Sequence, residues 1–470
     1  MPIPVISIAQ MRAWENATWA AGHAEADVIR RVGKALVATA LRLTRPGDFI
    51  LVLSGRGNNG ADARATLELF DERRVDTLDV TDPARDFAEL ETLLALRPAL
   101  VIDGLFGIGL NRPLDAAWIQ FIERINAARR PVLAVDVPSG LNADTGEPLG
   151  AAIVAAATLT VGAPKTGLLR PGAWPFVGRL EVTSEVGLVP CPHTGELKWT
   201  LPEDFADFPP ARPAASHKGT FGHLAIVAGS AGFHGAAVLA ARGAQRAQPG
   251  LVTLFTDPSV YLPVAAQLQA VMVRSGLPKE NPPGEFSAVL IGPGLAAPEI
   301  SDETKNLARQ LWQNSPAPVV VDASALDWLT PDAPPPNAIR VITPHPGEAA
   351  RLLGFTTAQI QADRPCALHE LSKKFGGCLV VLKGYQTLIG RSGGEIFVNS
   401  SGNPRLAQGG AGDVLAGFLA GLLAQPALQA DALAVTRFAV WAHGAAADRL
   451  ALEKTNWVIE DLAVAIGTRS

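Results

Sequence analysis

Cysteine, charge and long apolar runs are scarce in this 470-residue chain, and each shortage excludes a class of protein. The three cysteines, Cys191, Cys366 and Cys378, lack metal-ligand spacing, which indicates a reducing compartment without a disulfide framework. No apolar run reaches the roughly 18 residues that a membrane span needs, and the N-terminus lacks the basic region of a signal peptide. We therefore expect a cytoplasmic protein without a membrane partner.

Charged residues make up only 18% of the chain, and the net charge of −5 comes without any basic block. A nucleic-acid partner is not expected, because such partners require clustered positive charge. Apolar residues reach 48%, which favours large sheets buried under helices. The length exceeds what one core ordinarily supports and predicts two domains. We also expect the chains to form a homo-oligomer.

Strand-like and helix-like runs alternate along the chain, a pattern typical of an α/β fold with parallel sheets. Strands are predicted at 49–53, 99–102, 132–135, 158–161, 223–228, 251–255, 288–291, 319–321, 340–342 and 379–382, with a hairpin at 387–389 and 396–398. Helical patterns cover 7–44, 65–72 and 116–128. Six prolines between 190 and 217 predict a linker at 201–216, which separates a domain at 1–200 from one at 217–470.

The most informative stretch places three glycines, within 409–412, directly before Asp413. The apolar segment 414–424 follows with a four-residue period and predicts a buried helix, in which Gly417 and Gly421 allow close packing. N–H groups at a helix N-terminus favour anions. A carboxylate in that place indicates a base that deprotonates a hydroxyl beside a nucleotide phosphate. Alternatively, Asp413 is simply the N-cap of the helix.

A second glycine-rich turn, 54–62, follows the strand 49–53 and opens a helix. Such a turn presents backbone N–H groups to a phosphate. Its Asn58 and Asn59 offer carbonyl oxygens that can ligate a cation. Taken alone, a purely structural turn explains this segment equally well.

Two carboxylates, Asp103 and Asp136, each follow the carboxyl end of an apolar strand. Because ligands in open α/β sheets bind at that edge, we expect both to share one crevice with the loop 58–62. One carboxylate can then hold a monovalent cation while the other handles protons. The alternative is that both only cap the turns that follow them.

The loop 54–62, the segment DGLFGIGLNRP at 103–113 and the segment DVPSGLNADTG at 136–146 resemble the epimerase domain of the NAD(P)H-hydrate repair family in order and spacing. The resemblance implies a Rossmann-like three-layer αβα sandwich, with Asp136 as acid and base at the nicotinamide C6 centre. It also implies K⁺ bound by Asn59, Asp103 and Ser139. The residues implied to bind hydrated NADH or NADPH are Asn58, Asn59, Gly60, Ala61, Asp62, Gly107, Ile108, Gly109, Leu110, Asn111, Arg112 and Pro113.

Ala61 and Ala63 stand where that family has glycines. An added methyl group is harmless where the backbone has negative φ, but it is costly where φ is positive or a phosphate lies against the Cα atom. The epimerase activity therefore depends on the backbone conformation of these two residues.

The second half is similar to the ribokinase-like superfamily, and in particular to ADP- or ATP-dependent NAD(P)H-hydrate dehydratases. The motifs are AGSAGFHGA at 228–236, IGPGL at 291–295, TPHPGE at 343–348, KGYQT at 383–387 and GNPRLAQGGAGDVLAG at 402–417. The resemblance implies a ribokinase-like αβα domain in which Asp413 deprotonates the hydrate hydroxyl and Mg²⁺ accompanies the nucleotide. The implied hydrate-binding residues are Ala236, Gly294 and His345; the nucleotide-binding ones are Lys383, Gly384, Tyr385, Gln386, Thr387, Gly409, Gly410, Ala411 and Gly412.

Several of these residues have simpler interpretations. His345 between two prolines also fits a turn histidine, and Lys383 a solvated charge at a sheet edge. Asp322 follows a strand and is expected to assist substrate or metal binding. The family usually has another residue type where Arg405, Gln408 and Ser324 stand.

Together the two halves predict an enzyme that repairs hydrated NADH and NADPH. The first domain would interconvert the R and S hydrates, and the second would dehydrate the S hydrate, releasing phosphate and, from ADP, AMP. Two alternatives are a vitamin-precursor kinase, whose product is a stable phosphate ester, and a nucleotide-binding sensor with an inactive epimerase half. The choice between ADP and ATP stays open.

Overall fold

The computed structural model describes residues 2–278, 285–331 and 334–467. They form two compact units, one comprising Ile3–Trp199 and the other the described part of Thr200–Ser470. Each unit is built around a largely parallel sheet covered by helices, which confirms the predicted α/β class.

The first unit has the strands β1 (Ile3–Pro4), β2 (Phe49–Ser54), β3 (Arg74–Asp79), β4 (Leu100–Gly104), β5 (Val132–Val135), β6 (Ala157–Val161), β7 (Arg179–Thr183) and β8 (Leu197–Trp199). A parallel sheet runs in the order β3-β2-β4-β5-β6-β7, and β1 pairs antiparallel with β8. Leu53 pairs with Asp103, and Asp103 with Ala134. The carboxyl ends of β2, β4 and β5 therefore lie side by side.

Helices cover both faces of this sheet. They are α1 (Ile8–Ala20), α2 (Glu25–Leu43), α3 (Asn58–Arg64), α4 (Pro83–Ala95), α5 (Ala116–Ala127) and α6 (Trp174–Val177). Side chains alternate along β2, so Ile50 and Val52 share a core with α2, whereas Leu51 and Leu53 share one with α4 and α5. This alternation produces the three-layer arrangement.

The helix predicted at 65–72 is wrong, because α3 spans Asn58–Arg64 and turns follow it. Gly57, with extended backbone, is the N-cap residue, so the helix begins inside the glycine-rich loop. Beyond its end, Thr66 donates its hydroxyl to the carbonyl oxygen of Ala63 at 2.6 Å, a local bond that competes with helix continuation. Because α3 begins only four residues after β2 ends at Ser54, its N-terminus lies at the carboxyl edge of the sheet.

The second unit has the strands β9 (His223–Val227), β10 (Leu251–Thr256), β11 (Met272–Ser275), β12 (Ala288–Ile291), β13 (Val319–Val321), β14 (Arg340–Ile342), β15 (Leu379–Leu382), β16 (Leu388–Gly390) and β17 (Ile396–Val398). Its sheet runs in the order β17-β16-β15-β14-β13-β12-β9-β10-β11. Pairing is parallel from β11 to β15, whereas β16 and β17 form the predicted antiparallel hairpin. Asp322 and Lys383 directly follow β13 and β15 and so lie at the carboxyl edge.

The helices of this unit are α7 (His234–Ala247), α8 (Tyr261–Ala265), α9 (Asp302–Asn314), α10 (Pro346–Leu353), α11 (Thr357–Ala362), α12 (Arg364–Lys374), α13 (Ala411–Leu423), α14 (Ala432–Glu453) and α15 (Ile459–Ala465). The glycine-rich helix α13 is almost wholly buried and packs closely against α7. A Cβ atom on Gly417 would lie 1.9 Å from the carbonyl oxygen of Ala240. Close approach of the two backbones therefore requires glycine there, as the sequence predicted.

Part of the proline-rich segment that follows β8 packs on α14. The carboxylate of Asp204 forms a buried ion pair of 2.8 Å with Arg437, and the ring of Phe205 lies 5.3 Å from that of Trp441. Asp204, Phe205 and Phe208 therefore pack against the second unit, although they fall in the predicted linker.

No single helix in the described ranges has the length and apolar character required to cross a membrane. Ala411–Leu423 and Pro426–Glu453 meet those requirements only as a pair, and that pair is bent by 102°.

Candidate functional site

In the first unit, the segment that leads from β2 into α3 is packed too tightly for side chains at two of its glycines. A Cβ atom on Gly60 would lie 2.0 Å from the carbonyl oxygen of Gly55, and one on Gly55 would lie 2.1 Å from that of Leu105. These contacts hold the N-terminus of α3 against the end of β4. The first N–H groups of α3 have no partner within the helix, as phosphate-binding turns require.

The alanines of this loop fit their positions. Ala61 and Ala63 both lie in α3, and neither has a positive φ. Ala63 is buried, and its methyl group lies where it leaves no room for a Cβ atom on Gly104. The methyl groups therefore introduce no backbone strain, which removes one physical objection to an epimerase.

The three predicted K⁺ ligands lie together around the peptide groups of Phe106. Asn59 donates its side-chain amide to the Phe106 carbonyl oxygen at 3.0 Å, and the Phe106 N–H donates to the Ser139 hydroxyl at 2.8 Å. Ser139 donates its hydroxyl and N–H to the two oxygens of Asp103, at 2.6 and 2.9 Å. Asp103 is fully buried, and this burial raises its pKa to about 6 against the effect of the Ser139 bonds. The cluster is rich in oxygen atoms, which suits a hard cation.

Asp136 lies one strand further along, directly after β5, with a positive φ of 61°. Its Oδ1 atom accepts hydrogen bonds from the Thr160 hydroxyl, the Val161 N–H and the Lys165 ammonium. Lys165 is completely buried. A non-glycine residue with positive φ at the carboxyl edge of a sheet is typical of functional positions.

A cavity of about 560 Å³ opens beside these groups. Predicted residues that line it are Asn58, Asn59, Asp62, Gly107, Ile108, Gly109, Leu110, Arg112 and Asp136. Gly60, Ala61, Asn111 and Pro113 do not line it, and neither do Asp103 and Ser139, which are buried behind its wall. The cavity thus unites Asp136 with the loop that begins α3, whereas Asp103 lies behind its wall and is linked to it through Leu105, which lines the cavity, and through Ser139 and Phe106.

The opposite wall of this cavity comes from α1 and α2, which sequence reasoning did not connect to the site. It includes Glu15 and Glu25, and the side-chain amide of Asn58 donates to Glu25 at 2.5 Å. Burial and the charge of Asp136 raise the pKa of Glu15, and burial with the same charge raises that of Asp62 to about 8. Nothing in the local sequence pattern signals that α1 and α2 approach this edge.

In the second unit, α13 begins at a glycine turn. Gly410, the N-cap, has a φ of 98°, and a Cβ atom there would lie 2.5 Å from a methyl group of Leu239. A Cβ atom on Gly412 would lie 3.4 Å from the Lys383 ammonium nitrogen. Below the turn, the buried His443 contacts the Ala411 carbonyl oxygen at 3.0 Å, and burial lowers its pKa to about 4, which keeps it a neutral donor.

Asp413, in the first turn of α13, faces a group of charged side chains from three other segments. Lys383 pairs with Asp322 at 2.9 Å and lies 3.8 Å from Glu348. Thr343 donates its hydroxyl to Asp322 at 2.6 Å. Burial, together with Asp322, raises the pKa of Asp413 to about 7, although Lys383 opposes this shift. Asp413 forms no side-chain cap on its own helix, so the simple N-cap interpretation is wrong.

The loop from Lys383 to Thr387 is held from behind by Arg364, another residue that sequence reasoning missed. Its buried guanidinium donates to the carbonyl oxygens of Leu382 at 2.9 Å and of Tyr385. Gly384 has a φ of 131°, and Gln386 also has a positive φ. The loop is therefore a fixed structure, and Lys383 is a partly buried, paired cation rather than a solvated edge charge.

The predicted hydrate-binding residues occupy two places. A Cβ atom on Gly294 would lie 2.8 Å from that of Ala236, so these two residues are neighbours where α7 begins. His345 is the N-cap of α10, and its Nδ1 atom accepts from the N–H of Gly347 at 3.0 Å. The turn role proposed for His345 is thus real, while its exposed ring also lies 3.4 Å from Glu348 through Nε2.

Comparison with known proteins covers both units. The model of the NAD(P)H-hydrate dehydratase family matches residues 224–467, and that of the YjeF-related protein N-terminus matches residues 62–167. The bifunctional NAD(P)H-hydrate repair enzyme of Coxiella burnetii is 33% identical over 94% of this chain and 94% of its own. That of Escherichia coli K12 is 35% identical over 90% of this chain and 85% of its own.

A solved structure is also similar. The ADP/ATP-dependent NAD(P)H-hydrate dehydratase from Bacillus subtilis, co-crystallised with ATP and Mg²⁺, is 30% identical, with a TM-score of 0.48. The match covers 55% of this chain and 91% of that one.

Proposed function

Because this chain belongs to the family of bifunctional NAD(P)H-hydrate repair enzymes, we propose that its two units carry the two steps of that repair. Residues 1–200 interconvert the R and S hydrates of NADH and NADPH, and residues 217–470 dehydrate the S hydrate with ADP or ATP. The observation that carries the second assignment is Asp413, placed at the N-terminus of a buried helix beside Lys383, Asp322 and Glu348.

The dehydration follows from the chemistry of the hydrate. Its C6 hydroxyl is a poor leaving group as hydroxide and a good one once it is phosphorylated and leaves as phosphate. Asp413 takes the hydroxyl proton while the hydroxyl oxygen attacks the terminal phosphoryl group of the nucleotide. The bond from that phosphorus to the rest of the nucleotide breaks, and AMP leaves when the donor is ADP. The C6–O bond then breaks, phosphate departs, and loss of a ring proton restores the dihydropyridine double bond.

The glycine turn is suited to the phosphoryl group. We propose that the N–H groups of the turn, at Gly409, Gly410, Ala411 and Gly412, stabilise the charge that develops on it. Lys383 lies beside Gly412 and adds a positive charge at the same place. Mg²⁺ bound with the nucleotide would neutralise phosphate charge, and Asp322 and Glu348, the two carboxylates beside Lys383, would hold it.

We propose that the rest of the nucleotide binds along the loop that Arg364 supports, at Gly384, Tyr385, Gln386 and Thr387. The hydrate then lies toward the start of α7, where Gly294 and Ala236 meet, with His345 at its rim. The hydrogen bonds that Arg364 donates to the carbonyl oxygens of Leu382 and Tyr385 support this arrangement, because they hold the loop in one conformation.

For the first unit we propose that the hydrate enters the cavity and that Asp136 moves protons at C6. The loop that begins α3, at Asn58 and Asp62, and the loop from Gly107 to Arg112 hold the nucleotide. Asn59, Asp103 and Ser139 supply an oxygen cluster that fits K⁺, whose charge would offset the fully buried carboxylate. Four further predicted residues shape these loops without lining the cavity: Gly60, Ala61, Asn111 and Pro113. A homo-oligomeric state and a cytoplasmic location stay predictions.

One assay with separated hydrates tests the proposal. The protein is mixed with S-NADPH hydrate and ADP, then ATP, and the return of reduced-nicotinamide absorbance is followed; the R hydrate alone is followed by chromatography. We expect absorbance to return with one of the nucleotides and R to convert to S without any. A stable phosphorylated product would instead identify a kinase, and binding without turnover would identify a sensor.

A further inference from the structure

Lys165 is a fully buried lysine in the first unit whose role no sequence motif revealed. Lysine is almost never completely buried unless it is paired. Its ammonium has three protons to donate and three acceptors around it: Asp136, the Thr160 hydroxyl at 3.0 Å and the Val161 carbonyl oxygen at 2.8 Å. Every donor is therefore used, and the ammonium has a single arrangement.

The hydrogen bonds that the described residues donate to the Asp136 carboxylate all go to one of its two oxygens. Lys165, Thr160 and the Val161 N–H all donate to Oδ1, while no described residue donates to Oδ2. The side chain of Asp136 is 11% exposed, and the residue lines the cavity. One oxygen is thus anchored in the protein, and the carboxylate keeps the other for the substrate.

The segment that carries Lys165 is itself fixed. The N–H of Ile6 donates to the Pro164 carbonyl oxygen at 3.0 Å, and the N–H of Thr166 donates to that of Ile6 at 2.9 Å. These two bonds clamp the backbone on both sides of Lys165. Asp136 is fixed as well, because its N–H donates to the Leu159 carbonyl oxygen at 2.8 Å.

We propose that Lys165 is a positioning residue for the epimerase: it holds the Asp136 carboxylate by Oδ1 and so presents Oδ2 to the C6 centre of the hydrate. This inference rests on the proposed role of Asp136. A buried ion pair with a purely structural role would stabilise the fold or select its conformation. Such a structural role does not require that one carboxylate oxygen remain without a hydrogen bond at the wall of a cavity.

The test compares Lys165→Met and Lys165→Gln with Lys34→Met, a control at an exposed lysine of α2 in the same unit. Rates of R-to-S conversion give kcat and KM. Dehydration of the S hydrate by the second unit of the same chain reports the amount of protein, and thermal unfolding of each variant reports whether the first unit is folded. We expect Lys165→Met to lower epimerase kcat by about 100-fold with little change in KM, the size that a misplaced general base produces. Lys165→Gln keeps two N–H donors without the positive charge and should lose less.

Epimerase kcat within about threefold of the wild type in folded Lys165→Met would overturn the proposal. Should Lys165→Met not fold, Lys165→Gln decides alone: a kcat loss of about tenfold at unchanged KM supports the proposal, and an unchanged kcat overturns it. Failure of the wild type to epimerise would refute the proposed function of the unit instead. Loss of activity in Asp136→Asn but not in either Lys165 variant would refute only the role of Lys165.

Discussion

At the scale of single residues, the protonation of Asp413 sets the pH dependence of the dehydration. Burial, with Asp322, raises its pKa to about 7, and only the ionised form can take a proton. We expect kcat for the dehydration of the S hydrate to rise with pH and to level off above about 7. Initial rates between about pH 5 and 9 check this, with melting temperatures as the control for folding. A rate that is flat across that range would exclude Asp413 as the base.

Lys383 opposes the rise in the pKa of Asp413, so removing Lys383 should raise that pKa further. In Lys383→Met the carboxylates of Asp322, Glu348 and Asp413 lose the cation among them. We expect the rising limb of the rate–pH profile to move to higher pH and the KM for ADP or ATP to increase. Lys373→Met, at an exposed lysine of α12, is the control and should change neither. An unmoved limb with a normal KM would mean that Lys383 is not part of the site.

The residues that the sequence could identify are those with a local signal. Asp413 follows three glycines, and Lys383 precedes a glycine at the end of a strand. Arg364, His443 and Lys165 have no such signal, because each acts on backbone or side chains that the fold brings to it. Their roles depend on burial, which one sequence does not reveal.

At the scale of elements, the contact between α13 and α7 depends on glycine. A Cβ atom on Gly417 would lie 1.9 Å from the Ala240 carbonyl oxygen, so the helices must separate to admit a methyl group. We expect Gly417→Ala to destabilise the second unit by about 1–3 kcal/mol or more. Gly235→Ala is the matched control, because it lies in α7 with no atom near its Cβ position and should be neutral or slightly stabilising. Denaturant unfolding measures both, and equal stabilities would contradict this packing.

Helices were predictable where the apolar period was strong, as in α13, and one without such a period, α3, was misplaced. The four-residue period of the segment 414–424 predicted α13, and the glycines within that segment predicted its close packing. The helix predicted at 65–72 starts at Asn58 instead, because Gly57 is its N-cap and the glycine-rich loop supplies its first turn. The sequence predicted that a helix follows this glycine-rich turn, as phosphate binding requires, but it placed the start of that helix at residue 65 instead of 58.

At the scale of the whole molecule, the two activities should be separable by mutation. Asp136→Asn changes only the cavity of the first unit. We expect this variant to dehydrate the S hydrate at the rate of the wild type while the R hydrate persists, apart from slow spontaneous conversion. Chromatography of both hydrates during turnover measures this. Loss of S dehydration in Asp136→Asn would show that the two steps are not carried by separate sites.

The α/β class and the family were readable from ordered motifs, but the walls of the first site were not. Its cavity combines loops after β2 and β4 with Glu15 of α1 and Glu25 of α2, which are far apart in the chain. Their meeting depends on how α1 and α2 cover the sheet, a tertiary feature that no short spacing encodes. The packing of residues 202–208 on α14 is likewise a tertiary contact, so the sequence predicted only a linker there.

The most direct test of the central claim is the Asp413→Asn variant on purified S-NADPH hydrate with ADP or ATP, beside Asp302→Asn. Asp302 is an exposed acid in the first turn of α9, and its substitution matches the lost charge at a helix N-terminus. We predict that Asp413→Asn loses dehydration by about 100-fold or more while epimerisation, folding and the Asp302→Asn control stay normal. Dehydration at the wild-type rate in Asp413→Asn would contradict the role of this carboxylate as the base.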